Sequence, residues 1–290
     1  MLPQVDSPVF RTQNGVPYLK APGVALLGAK TCDLEGVGPF LRGFGPELEL
    51  DQYLQDPDPL PPGAQLVKFA GQLCYMSMGP KRSWNKDAAR YLRHILESGH
   101  GSVLEHADFT FLLFGISRSL THELVRHRLA SYSQVSQRYV SGRTLRFVER
   151  PEYAADEELH RRFEDRIEGL AAEYDSLATH LMQQQKQALA GLSGDELAAR
   201  RTELRKAVNQ CARSCLPNET EAPIVVTLNV RSIRHFFEMR AAKPAEVEIR
   251  RAAHAVFKVV KEVEPLFFAD YEEQELPDGT VALSTSFRKV

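Results

Sequence analysis

Apolar and polar positions alternate in changing rhythms along this chain, and each rhythm marks an element. Over residues 1–62 short apolar runs alternate with turn residues. There Val24-Ala25-Leu26-Leu27 reads as a strand and Asp56-Pro57-Asp58-Pro59-Leu60-Pro61-Pro62 as a loop or arm. From Asn85 to Ser98 the apolar positions Ala89, Leu92, Ile95 and Leu96 share one helix face, with Asn85 as the cap and Gly99 as the C′ residue. A polar loop, His100 to His106, separates that helix from a strand around Phe109 to Phe114. Ser119 to Arg128 reads as helix, with Leu120, Leu124 and Val125 apolar. Asp156 to Leu189 is a long amphipathic helix whose stripe runs Leu159, Phe163, Ile167, Leu170, Tyr174, Leu177, Leu181. Glu196 to Leu216 is another, stopped by Pro217-Asn218. The β-rich run Ile224 to Leu228 steps at Asn229 into a helical segment reaching Arg240, and Pro244 opens a helix to about Phe268. From Gln274 the chain reads as a frayed tail.

No internal repeat or low-complexity linker interrupts this order, so one α+β domain is expected, a sheet-containing core wrapped by long helices. Its parts are an arm with the first strands over residues 1–62, the main body over 63–272 and a tail over 273–290. The 290 residues are 43% hydrophobic, enough for a sizeable core. A formal charge of −2 argues against a general nucleic-acid coat. Cys32, Cys74, Cys211 and Cys215 are too few and too scattered for a disulfide framework, and no CxxC pair points to structural zinc. The first residues lack a basic region followed by an apolar run, and no run is long enough to span a bilayer. A soluble, cytoplasmic protein with no membrane partner is expected.

Against this near-neutral background, Arg126-His127-Arg128-Leu129-Ala130-Ser131-Tyr132-Ser133-Gln134-Val135-Ser136-Gln137-Arg138-Tyr139 stands out. It holds three arginines, three serines, two glutamines and two tyrosines, and no acid. Fixed cations, neutral donors and aromatic faces suit a flat, anionic, heteroatom-rich ligand such as a nucleotide or a dinucleotide-like cofactor. The bland reading is a solvated basic helix end, because helix C-termini accept cations. Two tempting motifs fail. His122-Glu123-Leu124-Val125-Arg126-His127 spaces its histidines five apart, roughly 140° around a helix, so one ion cannot be clamped between them. Gly23 and Gly28 before Lys30-Thr31 do not make a phosphate loop, because Ala29 intervenes and the residues between the glycines are strand-like. Arg126 and Arg128 would lie roughly 200° apart on a regular helix, so either the helix ends there or the two serve different ligands. Further along, Arg231 and His235 share a helix face at i, i+4, and Arg213 sits near a helix end.

Arg126-His127-Arg128 followed, after seven residues, by Ser136 resembles the signature of the flavin-dependent thymidylate synthases. His100 to His106, Ser117-Arg118-Ser119, Ser131 to Gln134, Gln137-Arg138-Tyr139 and Asn229-Val230-Arg231 through Arg240 resemble further blocks of that family, in the same order, over about residues 65 to 270. The resemblance implies a central, mainly antiparallel sheet flanked by long helices, with residues 63–272 as the catalytic domain. It implies reductive methylation of dUMP to dTMP, with methylenetetrahydrofolate as carbon donor and NADPH-reduced FAD as hydride source. His100, Ser102 and Glu105 would lie along FAD. Arg126, His127 and Arg128 would hold the flavin and its phosphates, Arg126 also reaching the nucleotide. Gln134 and, from another subunit of a homotetramer with shared active sites, Asn229, Val230, Arg231 and His235 would complete the cofactor set. The dUMP set would be Glu123, Arg126, Gln134, Val135, Ser136, Gln137, Arg138, Arg213 and Arg240. Some members carry glutamine at the position of Glu123 and glutamate at that of Gln134, so the charge is exchanged here. Some carry asparagine at the position of His235.

The residue chemistry runs the same way. A monoester phosphate needs guanidinium forks, which Arg138 and Arg213 can supply, and the Ser136 hydroxyl. Arg240, the counterpart of the activating arginine, would stabilise the uracil ring as N3–H ionises. Ser136 is read as binding and orienting dUMP, because its neighbours are mainly arginines and no base stands beside it. No glycine dinucleotide fingerprint is present, so the flavin is expected in a different arrangement, and no metal is expected. Two other readings use the same stretch, a nucleic-acid-binding module and a helical scaffold with structural arginines. The first predicts salt-dependent polymer binding, the second assembly without flavin.

Overall fold

In the computed structural model, which describes residues 2–185 and 189–288, alternation of buried and half-buried positions builds the central sheet. In β5 (Asp108–Phe114) Phe109, Phe111 and Leu113 point inward, and in β8 (Ile224–Asn229) Ile224, Val226 and Leu228 do the same. Among the described residues the sheet has the order β1 (Gln4–Val5), β4 (Gly23–Ala29), β5, β8, β6 (Ala130–Gln134), with every neighbouring pair antiparallel. The expected strand at Val24–Leu27 lies inside β4, which is bulged between Leu26 and Gly28. A smaller sheet joins β2 (Val9–Arg11), β3 (Pro17–Leu19) and β7 (Phe147–Val148). The fold is α+β, as expected.

Two helices cover the inner face. In α8 (Val230–Arg240) Ile233, Phe236 and Phe237 are buried, and in α9 (Val247–Val263) Ile249, Ala253, Val256, Phe257 and Val260 are buried. Phe237 meets Phe257, Phe268 and Tyr271 edge-on at centroid distances of 5.6–5.9 Å, which locks α8 against α9 and the turn after it. The helix after Pro244 begins later than expected, at Val247, because the Glu246 carboxylate caps it by accepting from the Glu248 and Ile249 N–H groups.

Several sequence expectations need correction. Asn85 is not a helix cap: its side chain bonds Asp58 and Gln65, and α3 (Ala88–Glu97) starts after a 3-10 turn. The arm holds a short helix, α1 (Gly38–Arg42), and its expected loop runs to Pro61, directly before a helix not marked from the sequence, α2 (Pro62–Cys74), whose N1 position accepts a proline. The helix expected over 119–128 is shorter, α4 (Arg118–Leu124), and the serine-rich run after it is strand β6, whose edge position leaves its alternate residues half-buried rather than apolar. After the short α5 (Pro151–Ala154), helix α6 (Glu157–Gln184) is capped by Asp156 and buries Phe163, Ile167 and Tyr174 of the expected stripe. The last part of that expected helix, residues 186–188, lies outside the described residues. α7 (Gly194–Ala212) ends in a 3-10 turn at Arg213. The expected frayed tail is ordered: β9 (Glu272–Glu275) and β10 (Val281–Ser284) form a hairpin, and Ala282 and Leu283 are buried. Its one fully polar strand hid it, since β9 is Glu-Glu-Gln-Glu and shows no hydrophobic alternation. None of the helices is long and apolar enough to cross a membrane, among the described residues.

Gly115 makes the turn that delivers α4 from β5. Its φ is +61°, and a Cβ there would stand 2.3 Å from the Ala21 carbonyl oxygen. Two residues on, Ser117 caps α4 through its Oγ, and buried Glu248 of α9 accepts from both Ser117 N and Oγ at 2.7 Å.

At the start of α2, buried Glu264 accepts from the Gly63 N–H at 2.5 Å and the Ala64 N–H at 3.1 Å. Burial pushes its carboxyl up from 4.5 to about 7, against the pull of those two donors. A raised carboxyl keeps its proton in the folded chain where the unfolded chain has released it. The associated stability is therefore full below pH 4.5 and is lost as pH rises through about 7. Glu264→Gln should flatten the decline of the urea unfolding midpoint between pH 5 and 7. An unchanged slope in that variant would contradict the assignment.

Candidate active site

Because α4 stops at Leu124, Arg126, His127 and Arg128 sit on the turn between that helix and β6. Tyr132 of β6 holds the turn: its hydroxyl lies 2.9 Å from the Leu124 carbonyl and 2.7 Å from that of His127, sharing one proton between them. Burial pushes that phenol up to about 12, so it remains a donor. The turn resolves the alternative left by helical geometry, because Arg126 and Arg128 now line the same cavity.

That cavity holds about 470 Å³ between the turn, α8 and the segment following β10. α8 contributes Arg231, Arg234, His235 and Glu238, which are i, i+3, i+4 and i+7 on one helix face. Asn229 caps α8 by accepting from the Ser232 N–H at 2.8 Å, and the Val230 N–H reaches the Ala107 carbonyl at 2.9 Å, so the strand-to-helix step is held from both sides. The 3-10 turn Gly101–His106 arrives at the same corner: Arg231 donates to Glu105 at 2.6 Å. His100 and Ser102 of that segment are exposed and Tyr75 faces the His100 ring.

The buried imidazole of His127 is the electrostatic centre. Arg240, at the end of α8, donates its Nε–H to His127 Nε2 at 3.2 Å. Burial first, then Arg240 and His235, lower the His127 pKa from 6.5 to about 4. A neutral ring that accepts at Nε2 carries its proton on Nδ1, and that buried Nδ1 has no partner among the described residues. Phe236 meets the ring edge-on at 5.2 Å. Arg240 also donates Nη1–H to Glu123 at 2.5 Å, so α4, the turn and α8 close into one network. Gln134 donates to Thr121 at 3.3 Å on the same side of α4.

Of the expected site residues, Arg126, His127, Arg128, Arg231 and His235 line this cavity. His100, Ser102, Glu105, Glu123, Gln134, Asn229, Val230 and Arg240 do not line it, and neither do Val135, Ser136, Gln137, Arg138 and Arg213. Ser136 accepts from the Arg138 N–H at 3.3 Å, Arg138 is exposed beside Tyr139, and Gln137 is buried with its Nε2 unpartnered among the described residues. Arg213 opens the 3-10 turn after α7. His122 is exposed on α4 while His127 is buried beyond it, and no group of three or more metal-ligating side chains occurs among the described residues. The lining residues Ser232, Arg234, Glu238, Tyr271, Thr285 and Phe287 were not expected. Arg234 and Glu238 could have been found by extending the i, i+4 face of Arg231, but the last three come from distant sequence.

Cations on a rigid turn, an orphaned buried donor and aromatic walls make a class of site suited to an anionic ligand with planar rings. The chain matches the family described as "Thymidylate synthase complementing protein" over residues 58–266, and it belongs to that family. It is 47% identical over 224 residues to the flavin-dependent thymidylate synthase of Mycobacterium sp. strain JLS, covering 77% of this chain and 85% of that one. To the enzyme of the same name from Mycobacterium tuberculosis strain ATCC 25177 / H37Ra it is 44% identical over 218 residues, 75% and 83% of the two chains. The Mycobacterium leprae strain TN protein of that name is 43% identical over 219 residues, 75% and 84%.

The network makes a direct forecast for the imidazole. Nitrogen-resolved NMR of His127 should show a neutral ring with its proton on Nδ1 at pH 6, titrating only near pH 4. A ring that is protonated at pH 6 would contradict the arrangement.

Proposed function

We propose that this chain is a flavin-dependent thymidylate synthase, converting dUMP to dTMP with methylenetetrahydrofolate as carbon donor and with the hydride supplied by FAD that NADPH has reduced. The observation that carries the reading is the convergence of Arg126, His127, Arg128, Arg231 and His235 on one cavity within the region matched by the family. The residues fit FAD. Arg126 and Arg128 are exposed cations without an acidic partner among the described residues, able to hold phosphates, and His127 Nδ1–H is a buried donor awaiting an acceptor. Asn229, Val230 and Arg231 set the corner against which Glu105 packs, and His100, Ser102 and Gln134 extend the cofactor surface.

Arg240 acts on the pyrimidine. Two of its five N–H donors are taken by His127 and Glu123, which hold the guanidinium plane still and leave the others for a ligand. A fixed cation of this kind favours negative charge on the uracil ring as N3–H ionises, without reorganising during the reaction. The carboxylate at position 123 pairs with that arginine, while Gln134 stays neutral against Thr121. Ser136, Gln137, Arg138 and Arg213 bind and orient dUMP through its phosphate and base edge, with Val135 beside them.

Their separation from the flavin cavity within one chain favours active sites shared between subunits of a homotetramer. The fold is then that of the flavin-dependent thymidylate synthases, and the enzyme works in the cytoplasm. The nucleic-acid and scaffold readings have no observation in their favour.

The purified protein should retain a flavin spectrum after excess FAD is removed, and NADPH should bleach it at a rate that depends on dUMP. Absence of retained flavin would break the reading. Arg240→Ala should lower dTMP formation by roughly 10²–10³-fold or more with FAD still bound; wild-type turnover would remove its assigned role. Ser136→Ala should weaken dUMP binding by about tenfold while keeping measurable turnover, the scale of one hydrogen bond to a charged group. Complete loss of chemistry with intact dUMP binding would instead make the serine a nucleophile.

A further inference from the structure

The cavity has a wall that lies outside the matched region 58–266: Tyr271, Thr285 and Phe287 line it beside the α8 arginines. Phe287 is half-buried and packs on the edge of the main core, and its backbone is turned by an N–H bond to Thr285 Oγ1 at 3.0 Å. What holds the segment is Arg234. Its guanidinium, only 4% exposed, forks onto both oxygens of Asp270 at 2.8 Å and also donates to the carbonyls of Phe267 at 2.8 Å and Phe287 at 3.4 Å. Asp270 in turn accepts from the Thr285 hydroxyl. The arginine stands over the Tyr271 ring at 4.9 Å, and its buried Nε has no partner among the described residues although the side chain lines the cavity.

A buried bidentate ion pair that anchors the short segment after a hairpin is costly to assemble, since removing either partner would strand a charge. Here it fixes an aromatic ring that lines the same cavity as the cationic turn. We infer that Phe287, clamped by Arg234 and Asp270, is a binding residue of the cavity that retains the flavin by presenting an aromatic face to one of its planar rings. Arg126 and Arg128 take the anionic part of the ligand, and Arg234 Nε–H is a further donor toward it. The inference rests on the reading of this cavity as the flavin site.

The test compares the full-length wild type with Phe287→Leu and Phe287→Tyr, measuring FAD dissociation constant and release rate by flavin fluorescence. Thermal unfolding of the flavin-free proteins serves as the packing control. Leucine keeps the apolar volume but loses the ring face, so Phe287→Leu should bind FAD roughly three- to tenfold more weakly and Phe287→Tyr within twofold of wild type. Arg234→Met should release FAD faster in the same way. Wild-type affinity in Phe287→Leu would overturn the inference, as would equal losses in the leucine and tyrosine variants that track lowered unfolding temperatures, because packing alone would then explain them. A wild type that retains no FAD would instead overturn the flavin reading itself, and this inference with it.

Discussion

Placement of β8 between β5 and β6 is the constraint on which the site depends. Its register sets Asn229 opposite Asp108 and Leu228 opposite both Phe109 and Ala130. Because side chains alternate across a strand, a slip of one residue would turn Ile224, Val226 and Leu228 out of the core. The same slip would move the start of α8, since Asn229 ends the strand and caps the helix in one residue. Everything that α8 carries, from Arg231 at its first turn to Arg240 at its last, is thereby positioned by sheet pairing rather than by local preference. β6 does the parallel service on the other side: it brings Tyr132, and Tyr132 holds the turn that bears Arg126, His127 and Arg128.

The electrostatics follow from this rigidity. A histidine between arginines would ordinarily be an awkward neighbour, but burial keeps His127 neutral, and a neutral ring can accept from Arg240 where an imidazolium would repel it. Acidification toward pH 4 would convert that acceptor into a further cation among Arg126, Arg128 and Arg240, opening the contact between the turn and α8. At neutral pH the Glu123 carboxylate bonded to Arg240 orients the guanidinium from α4. Orientation comes from three separate elements, which is why none of the three residues needs a long loop to reach the others.

Much of this was legible in the chain because chemistry and pattern coincided. The cationic stretch, the polar segment before β5 and the Asn229 to Arg240 step each show a dense run of polar residues beside a strong apolar rhythm; the last two lie where expected, and the cationic stretch stands on a turn because its helix stops at Leu124. The strand β6 was not legible, since Ala130-Ser131-Tyr132-Ser133-Gln134 sits at the sheet edge and has little apolar contrast to read. The hairpin of β9 and β10 failed for the same reason, its stability coming from distant contacts such as the Leu283 N–H bonded to the Ala241 carbonyl at 2.8 Å. Asn85 misled because a side chain that looks like a cap found better partners in Asp58 and Gln65 across the fold.

The arginines divide into two populations, and the division has a physical reason. Arg234 and Arg250 are buried and each is surrounded by carbonyls and a carboxylate; Arg146 reaches buried Glu221 through a two-pronged contact, and Arg166 does the same with Glu219. Desolvation makes the buried ones stable only when most of their donors are satisfied, so their charge is spent on tying segments together, and among the described residues Arg234 keeps only its Nε–H for a ligand. Arg126 and Arg128 are the opposite case: exposed, on a turn fixed by a neighbour's hydroxyl, with no acidic partner among the described residues. Their charge is not consumed by the fold. A site for a phosphate gains from that asymmetry, because a guanidinium whose charge is already balanced within the chain attracts an anion less strongly, whereas Arg240, paired with Glu123, offers its remaining N–H donors at a fixed position.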